Sequence, residues 1–222
     1  MWLYYFAKAI CMIAFNIWYK LDYHGLENIP SGGGYILMSN HRSMIDPIIL
    51  AEKAHGQVRC MGKMELFRNP ILGWALRTIG TFPVDRGAGD TSAIDNSRKV
   101  IEEGDILGIF PEGHRSKTGE PLRPKSGVAL VARLTEAPVL PCSVYWEGKL
   151  GFRRKIVIRY GELIPYEAMG LTESSSAREL RNATQLLFGK VLESIEVSKH
   201  RIDGCQDCRV LFRSEPGGPD GL

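Results

Sequence analysis

The stretch Asn40-His41-Arg42-Ser43-Met44-Ile45-Asp46-Pro47 joins two apolar runs, one at residues 35–38 and one at residues 48–53. The first run predicts a short buried strand, and the second predicts a helix. In open α/β sheets, ligands bind where strands hand over to helices. A histidine at this point, with a carboxylate five residues on, is a candidate general base with its orienting partner.

A second interpretation of the same residues needs no chemistry. An aspartate followed by a proline is typical of a helix start, with Asp46 as N-cap and Pro47 at the first helical position. Asn40 and Ser43 are ordinary turn residues. The spacing alone leaves both interpretations open.

The composition is that of a globular protein of one α/β domain. The chain has 222 residues, of which 44% are apolar and 24% are charged. A net charge of +3 gives no support to nucleic-acid binding. The five cysteines are irregularly spaced, which argues against a disulfide scaffold and fits a reducing compartment.

Apolar strands alternate with helices along the middle of the chain, which predicts a single layered α/β domain over residues 21–198. Its sheet is expected to be mixed and largely parallel, with flanking helices. The predicted strands lie at residues 35–38, 57–61, 82–84, 106–110, 139–145 and 155–160, after a short strand and turn in 21–29. The predicted helices lie at residues 48–53, 72–79, 91–103 and 125–134, and a last one follows residues 174–176.

The N-terminal residues 1–20 are predicted to form a membrane-associated helix. Residues 2–19 are mostly apolar, and aromatic side chains stand at both ends, as at the edges of a membrane interface. Eighteen helical residues reach roughly 27 Å, which is marginal for a hydrocarbon layer of about 30 Å. A helix lying in one leaflet is at least as well supported as one that spans. A buried soluble helix is the alternative, and a cleaved signal peptide has less support.

Residues 199–222 are predicted to form a flexible tail. The tail carries Cys205 and Cys208, but a zinc site needs two more ligands and only His200 is near. We therefore expect no metal site.

Two further motifs follow predicted strands. Phe110-Pro111-Glu112-Gly113-His114-Arg115-Ser116 leaves the most apolar strand, and Phe82-Pro83-Val84-Asp85-Arg86-Gly87 ends another. Each places an arginine, whose planar fork of donors suits a phosphate or a carboxylate, beside a glycine that lets a ligand approach the backbone. The alternative for Arg115 is a solvated arginine in a polar turn, and the alternative for Arg86 is a surface ion pair with Asp85, which contributes little.

The ordered motifs resemble the glycerolipid acyltransferase family, most closely the 1-acyl-glycerol-3-phosphate acyltransferases. Residues 40–46 match the family's His-x-x-x-x-Asp block, residues 82–87 its second block and residues 110–116 its third, where His114 replaces the usual threonine. Ala137-Pro138-Val139-Leu140-Pro141 matches the fourth block, and Lys63-Met64-Glu65-Leu66 resembles the family's Lys-x-Glu-Leu segment. Four blocks in order are far more specific than one.

The resemblance implies a reaction and a mechanism. His41 would take the proton from the free 2-hydroxyl of lysophosphatidic acid, while Asp46 would orient the imidazole and stabilise its cation. The hydroxyl would attack the thioester of acyl-CoA or acyl carrier protein directly, which requires no cofactor and no metal. The product would be phosphatidic acid, a precursor in phospholipid biosynthesis.

The resemblance also implies a substrate site. Three cations would hold the phosphate, namely Arg86, Arg115 and, as a possible third, Lys63. Glu112 and Gly113 would shape the glycerol site.

The expected partners are membrane lipids, the acyl donor and lysophosphatidic acid, with no nucleic acid. The expected location is the cell membrane, with peripheral or single-pass attachment and the catalytic domain facing the cytoplasm. Other acceptors stay open: glycerol-3-phosphate, another lysophospholipid or a non-phosphorylated lysolipid. A lipid hydrolase or a lipid-binding protein is a weaker alternative, and the lack of a Gly-x-Ser-x-Gly elbow lowers the case for a serine hydrolase.

Overall fold

The computed structural model describes residues 2–84 and 92–202, which contain a seven-stranded sheet flanked by helices. The strands are β1 Lys20–His24, β2 Ile36–Ser39, β3 Val58–Lys63, β4 Thr81–Val84, β5 Ile106–Ile109, β6 Val139–Tyr145 and β7 Lys155–Tyr160. The helices are α1 Trp2–Trp18, α2 Asp46–Ala51, α3 Pro70–Thr78, α4 Ser92–Glu102, α5 Gly127–Thr135 and α6 Ala177–Ile202. Short 3-10 helices lie at Leu26–Asn28, Met64–Arg68 and Tyr166–Met169.

The strand order across the sheet is β1-β7-β6-β2-β5-β3-β4. Every neighbouring pair is parallel except β6 and β7, which are antiparallel. A short connection can reverse the chain only into an antiparallel strand, whereas the parallel pairs are joined by longer crossovers. The mixed, largely parallel sheet predicted from the sequence is therefore confirmed.

The central strands are buried on both faces. All four residues of β2 and of β5 are buried, because helices cover the sheet on either side. This double burial explains why the strands are continuous apolar runs rather than alternating patterns. Helices α4, α5 and α6 pack on one face, and α1 and α2 pack on the other.

Helix α1 runs across one face of the sheet, from the start of β3 to the connection between β6 and β7. Near its start, the buried Tyr4 hydroxyl accepts a 3.0 Å hydrogen bond from the backbone amide of Val58, where β3 begins. At its end, the carbonyl of Trp18 accepts a 2.6 Å hydrogen bond from the amide of Arg153, beyond the end of β6. Lys8 Nζ also donates to the carbonyl of Ala54 at 3.0 Å, so one side of the helix is fixed to the domain.

The other side of α1 is apolar and exposed. Its outward residues are Trp2, Tyr5, Phe6, Ile10, Ile13, Ile17 and Trp18. Over residues 2–84 and 92–202, no helix combines the length and the apolarity that crossing a membrane requires. The helix predicted at the N-terminus is present, and its association with a membrane stays a prediction.

The C-terminal boundary differs from the prediction. Helix α6 continues to Ile202, past the boundary predicted at residue 198. Cys205 and Cys208 lie outside the described residues.

Candidate active site

The motifs at residues 40–47 and 110–116 follow strands that end at the same edge of the sheet, whereas residues 137–141 lie at the opposite edge, where β6 begins. Strands β2, β5, β3 and β4 are parallel neighbours, so their carboxyl ends lie together, at what we call the carboxyl edge. Met38 of β2 is paired with Ile109 of β5, and Lys63 of β3 with Val84 of β4. The loops after β2 and β5 therefore leave the sheet side by side.

His41 and Asp46 form a direct pair in the loop after β2. The imidazole Nδ1 lies 2.9 Å from Asp46 Oδ2, and the aspartate is fully buried. The same oxygen accepts 2.7 Å hydrogen bonds from the backbone amides of Arg42 and Ser43. A carboxylate oxygen only accepts hydrogen bonds, so the proton of the neutral imidazole lies on Nδ1, which faces Asp46 Oδ2. Nε2 keeps its lone pair, which is the tautomer that a general base requires.

The helix-capping interpretation of Asp46 is wrong. Helix α2 begins at Asp46, but its N-cap is Ile45, and no side-chain capping hydrogen bond is present. The carboxylate turns back toward the amides of the preceding loop instead of forward onto the helix. Its other oxygen, Oδ1, is buried and has no hydrogen-bond partner among the described residues.

Glu112 ties the loop after β5 to His41. Glu112 Oε1 accepts a 2.7 Å hydrogen bond from the backbone amide of His41, and Oε2 accepts one of 2.7 Å from the amide of Leu122. Burial raises the pKa of the Glu112 carboxyl, and the two amide donors oppose that rise. Both carboxylate oxygens of Glu112 thus hold the backbone in place. The role of Glu112 in a glycerol site stays a prediction.

Two more contacts fix the histidine. The carbonyl of His41 accepts a 2.8 Å hydrogen bond from the amide of Ser116. The imidazole stacks on the ring of Phe110 at a centroid distance of 4.1 Å. His41 is consequently held through its amide, its carbonyl and its ring by residues of the third motif.

Gly113 occupies a position that only glycine fits well. Its φ is +78°, in the left-handed region, and a Cβ there would lie 3.2 Å from Lys125 Nζ. The turn brings the backbone of Gly113 close to Lys125, and the next two residues, His114 and Arg115, are exposed.

The predicted phosphate ligands are less tightly placed. Arg115 is exposed, and no hydrogen bond or ion pair within residues 2–84 and 92–202 engages its guanidinium. Lys63, the last residue of β3, is exposed and forms a 2.9 Å ion pair with Glu65. Arg86 lies outside the described residues. The structure thus joins His41, Asp46 and Glu112 directly and leaves Arg115 open to a ligand at the same edge.

Asn40 and Arg42 of the first motif have structural roles that the sequence did not indicate. Asn40 is buried and makes reciprocal 2.9 Å hydrogen bonds with the amide and the carbonyl of Val144, extending the pairing of β2 with β6. Arg42 donates at 2.8 Å to the carbonyl of Trp146 and lies 4.1 Å above the centre of its ring. Burial lowers the pKa of this guanidinium. Since each partner is 104 residues away in sequence, local patterns gave no signal for either contact.

Known proteins resemble this chain in sequence. The sequence model of the acyltransferase family matches residues 20–145, which include all of the motifs at the carboxyl edge. The chain belongs to the acyltransferase family. Its relatives include the 1-acyl-sn-glycerol-3-phosphate acyltransferase of Bacillus subtilis, 32% identical over 171 residues that cover 75% of this acyltransferase and 84% of the relative. The enzyme of that name from Streptococcus pneumoniae is 33% identical over 197 residues, covering 85% and 72%.

The fold of this acyltransferase also occurs in a solved structure. The crystal structure of the 1-acyl-sn-glycerophosphate acyltransferase from Thermotoga maritima aligns with a TM-score of 0.70 at 24% identity. The alignment covers 87% of this acyltransferase and 78% of the other chain, so the likeness extends through most of both folds.

Proposed function

We propose that this acyltransferase moves a fatty acyl group from a thioester, acyl-CoA or acyl carrier protein, to the 2-hydroxyl of 1-acyl-glycerol-3-phosphate, forming phosphatidic acid. The observation that carries the proposal is the His41–Asp46 pair, in which one buried carboxylate oxygen accepts from the imidazole and from two backbone amides. The relatives from Bacillus subtilis and Streptococcus pneumoniae are named for acylation of 1-acyl-sn-glycerol-3-phosphate, which supports this acceptor.

The proposed reaction is a single acyl transfer. His41 Nε2 accepts the hydroxyl proton as the oxygen attacks the thioester carbonyl carbon, and Asp46 stabilises the imidazolium that forms. The tetrahedral intermediate then expels the sulfur, which takes the proton from the imidazolium, so the products are an ester and a free thiol. Glu112 keeps the base in position because it holds the His41 amide.

The proposed acceptor site lies beside this pair. Arg115 and Arg86 bind the phosphate, and Lys63 adds a third cation after its ion pair with Glu65 opens. The small Gly113 gives room for the glycerol backbone, and Glu112 shapes this site indirectly, because it holds the backbone amides of His41 and Leu122.

The proposed location is the cytoplasmic surface of the cell membrane. Helix α1 is bonded to the domain on one side through Tyr4 and Lys8, so its exposed apolar side is available to one leaflet. A helix in this orientation attaches the protein peripherally and brings the carboxyl edge to its lipid acceptor. The proposal places the catalytic domain in the compartment that holds acyl-CoA and acyl carrier protein.

Turnover of purified protein in detergent tests the reaction. Wild type receives lysophosphatidic acid with either donor, and phosphatidic acid is measured. His41→Ala is expected to lose about 10² to 10⁴ in rate, since a general base typically contributes that much. His55→Ala is the matched control, because His55 is exposed before β3, away from the carboxyl edge. Asp46→Asn is expected to lower the rate while thermal unfolding still shows a folded domain.

The outcomes separate the alternatives. If wild type formed no phosphatidic acid with either donor, the proposed reaction would be contradicted. If His41→Ala turned over as fast as wild type, the proposed mechanism would be contradicted. Glycerol-3-phosphate and other lysolipids run as parallel acceptors, and free fatty acid released without an acceptor would indicate a hydrolase.

A further inference from the structure

The connection between β6 and β7 lies at the carboxyl edge, beside the candidate active site. Strand β6 is the parallel neighbour of β2, with Ser39 paired to Cys142, so the two strands end on the same side of the sheet. We call residues 147–154 of this connection the hairpin tip. Trp146, directly before the tip, contacts Arg42 of the first motif.

The hairpin tip carries an exposed aromatic side chain. Phe152 is 66% exposed and packs edge-to-face against Trp18, which is itself 52% exposed, with ring centroids 5.3 Å apart. Trp18 is the last residue of α1, so this aromatic pair continues the exposed apolar side of that helix. One apolar surface therefore extends from α1 to the carboxyl edge.

The same tip has an excess of positive charge. Lys149, Arg153 and Arg154 are exposed there, against the single acidic residue Glu147. Among the described residues, no hydrogen bond or ion pair engages the side chains of Lys149 and Arg154. These two cations are therefore available to a negatively charged surface.

The tip is fixed to α1. Arg153 has a φ of +58°, unusual for a residue other than glycine, and its amide donates to the carbonyl of Trp18 at 2.6 Å. Its Nη1 lies 3.5 Å and 3.4 Å from the carbonyls of Asn16 and Ile17, at the negative end of the helix. Helix and tip consequently present their exposed surfaces together.

We infer that the hairpin tip is a second membrane contact, which binds anionic lipid headgroups through Lys149 and Arg154 and inserts Phe152 beside Trp18 at the interface. Cations beside an exposed aromatic pair suit a bilayer surface, where the rings enter the headgroup layer and the charges meet phosphates. An acidic protein would match the charges but would leave the apolar surface that continues along α1 without a partner. Contacts at α1 and at the tip together hold the carboxyl edge against the membrane.

This inference rests on the proposed function, because it takes the enzyme to work on a membrane lipid. The test uses the full chain and measures sedimentation with vesicles of phosphatidylcholine alone and of phosphatidylcholine mixed with phosphatidylglycerol. No turnover enters this measurement, so its failure is distinguishable from a failure of the acyl-transfer assay in detergent.

Wild type is expected to prefer the anionic vesicles. The double variant Lys149→Gln/Arg154→Gln is expected to bind them about 25-fold more weakly, since each cation near such a surface contributes about fivefold, and to bind neutral vesicles as before. Phe152→Ser is expected to weaken binding to both. The matched controls are Arg178→Gln/Arg181→Gln and Leu186→Ser, exposed residues of α6 on the opposite face of the sheet.

Three results would overturn the inference. They are equal binding of wild type to both kinds of vesicle, a loss in the tip variant no larger than in the α6 control, and an unchanged vesicle preference of the tip variant. In the last case, a selective loss of turnover with acyl carrier protein in detergent would assign the tip to binding of that donor instead.

Discussion

The backbone amide of His41 donates a 2.7 Å hydrogen bond to Glu112 Oε1, so the loop after β2 and the loop after β5 are joined at the candidate general base. The other oxygen of Glu112 accepts from Leu122, which lies ten residues further along the same loop. A single buried carboxylate thus sets the position of the histidine and the path of the loop that leads to α5. The third motif therefore positions the first motif through the hydrogen bond between Glu112 and the backbone of His41.

Glu112→Gln is expected to lower kcat and to leave the KM for lysophosphatidic acid nearly unchanged. Glutamine presents one acceptor oxygen where two are needed, so one buried amide loses its partner and stability falls by about 1–3 kcal/mol. Steady-state kinetics and denaturant unfolding measure the two effects. The matched control is Glu120→Gln, an exposed residue of the same loop, which should change neither quantity. A raised KM at wild-type kcat would instead assign Glu112 to the substrate.

The raised pKa of Glu112 predicts a specific pH dependence of stability. Because burial raises the pKa in the folded state above its ordinary value of 4.5, the folded state holds this proton more tightly than the unfolded state. The stabilisation is complete below the unfolded-state pKa and is lost as the pH rises through the folded-state pKa. The free energy of unfolding of wild type relative to Glu112→Gln should therefore decrease over this window and stay level above it.

Urea titrations of both proteins at a series of pH values measure that difference. Titration of the other acidic residues cancels between the two, since only position 112 differs. A difference that increases with pH would mean that the amides of His41 and Leu122 outweigh burial.

Much of the fold could be predicted because its central strands β2 and β5 are buried along their whole length. The residues of β5 are buried on both faces, so their sequence indicates a strand without help from alternation. Strands β6 and β7 were placed at the bounds that the structure has, Val139–Tyr145 and Lys155–Tyr160. The sequence does not predict the 3-10 helix Met64–Arg68, because five residues are too few to show a helical period.

The candidate site was less predictable than the fold. The order of motifs brought His41 and Glu112 to one edge, because both follow parallel strands. The sequence does not predict the contacts that fix this loop. Asn40, for example, is a typical turn residue, and its role becomes clear only because β6 lies beside it. Asp46 shows the same limit: its preference for helix starts is real, yet tertiary amide donors hold its side chain elsewhere.

Asn40→Ala is expected to destabilise the domain by about 2–6 kcal/mol. The substitution leaves the buried amide and carbonyl of Val144 without the partners they have at 2.9 Å, and each unsatisfied group costs about 1–3 kcal/mol. Denaturant unfolding measures the effect. Ser43→Ala in the same loop is the control, since the Ser43 hydroxyl accepts only a long 3.5 Å contact from Ile45. Equal decreases in the free energy of unfolding in both variants would show that the hydrogen bonds of Asn40 do not stabilise the domain.

Arg42 and Gly119 are expected to be energetically coupled. Gly119 has a φ of +88°, and a Cβ there would lie 2.7 Å from Arg42 Nη2, so Gly119→Ala should both strain the backbone and displace the guanidinium from Trp146. In an Arg42→Ala background only the strain remains. The double variant should thus be about 0.5–3 kcal/mol more stable than the sum of the single losses predicts. Strict additivity in denaturant unfolding would show that the guanidinium does not touch this loop.

Arg115→Ala is expected to raise the KM for lysophosphatidic acid about 10- to 100-fold, because a hydrogen bond to a charged group contributes about 1.5–3 kcal/mol. Its guanidinium is exposed at the carboxyl edge and is free of hydrogen bonds and ion pairs within the part of the chain that the structure describes. Arg115→Lys should recover part of the loss, since lysine keeps the charge but not the planar fork.

Steady-state kinetics with two acceptors separate phosphate binding from general damage. With a monoacylglycerol, which has no phosphate, Arg115→Ala and wild type should have the same KM. Lys117→Ala, at an exposed position of the same loop, is the matched control and should behave as wild type with both acceptors. If Arg115→Ala raised the KM equally for both acceptors, Arg115 would not be a phosphate ligand. Recognition of the phosphate would then be assigned to Arg86 and Lys63.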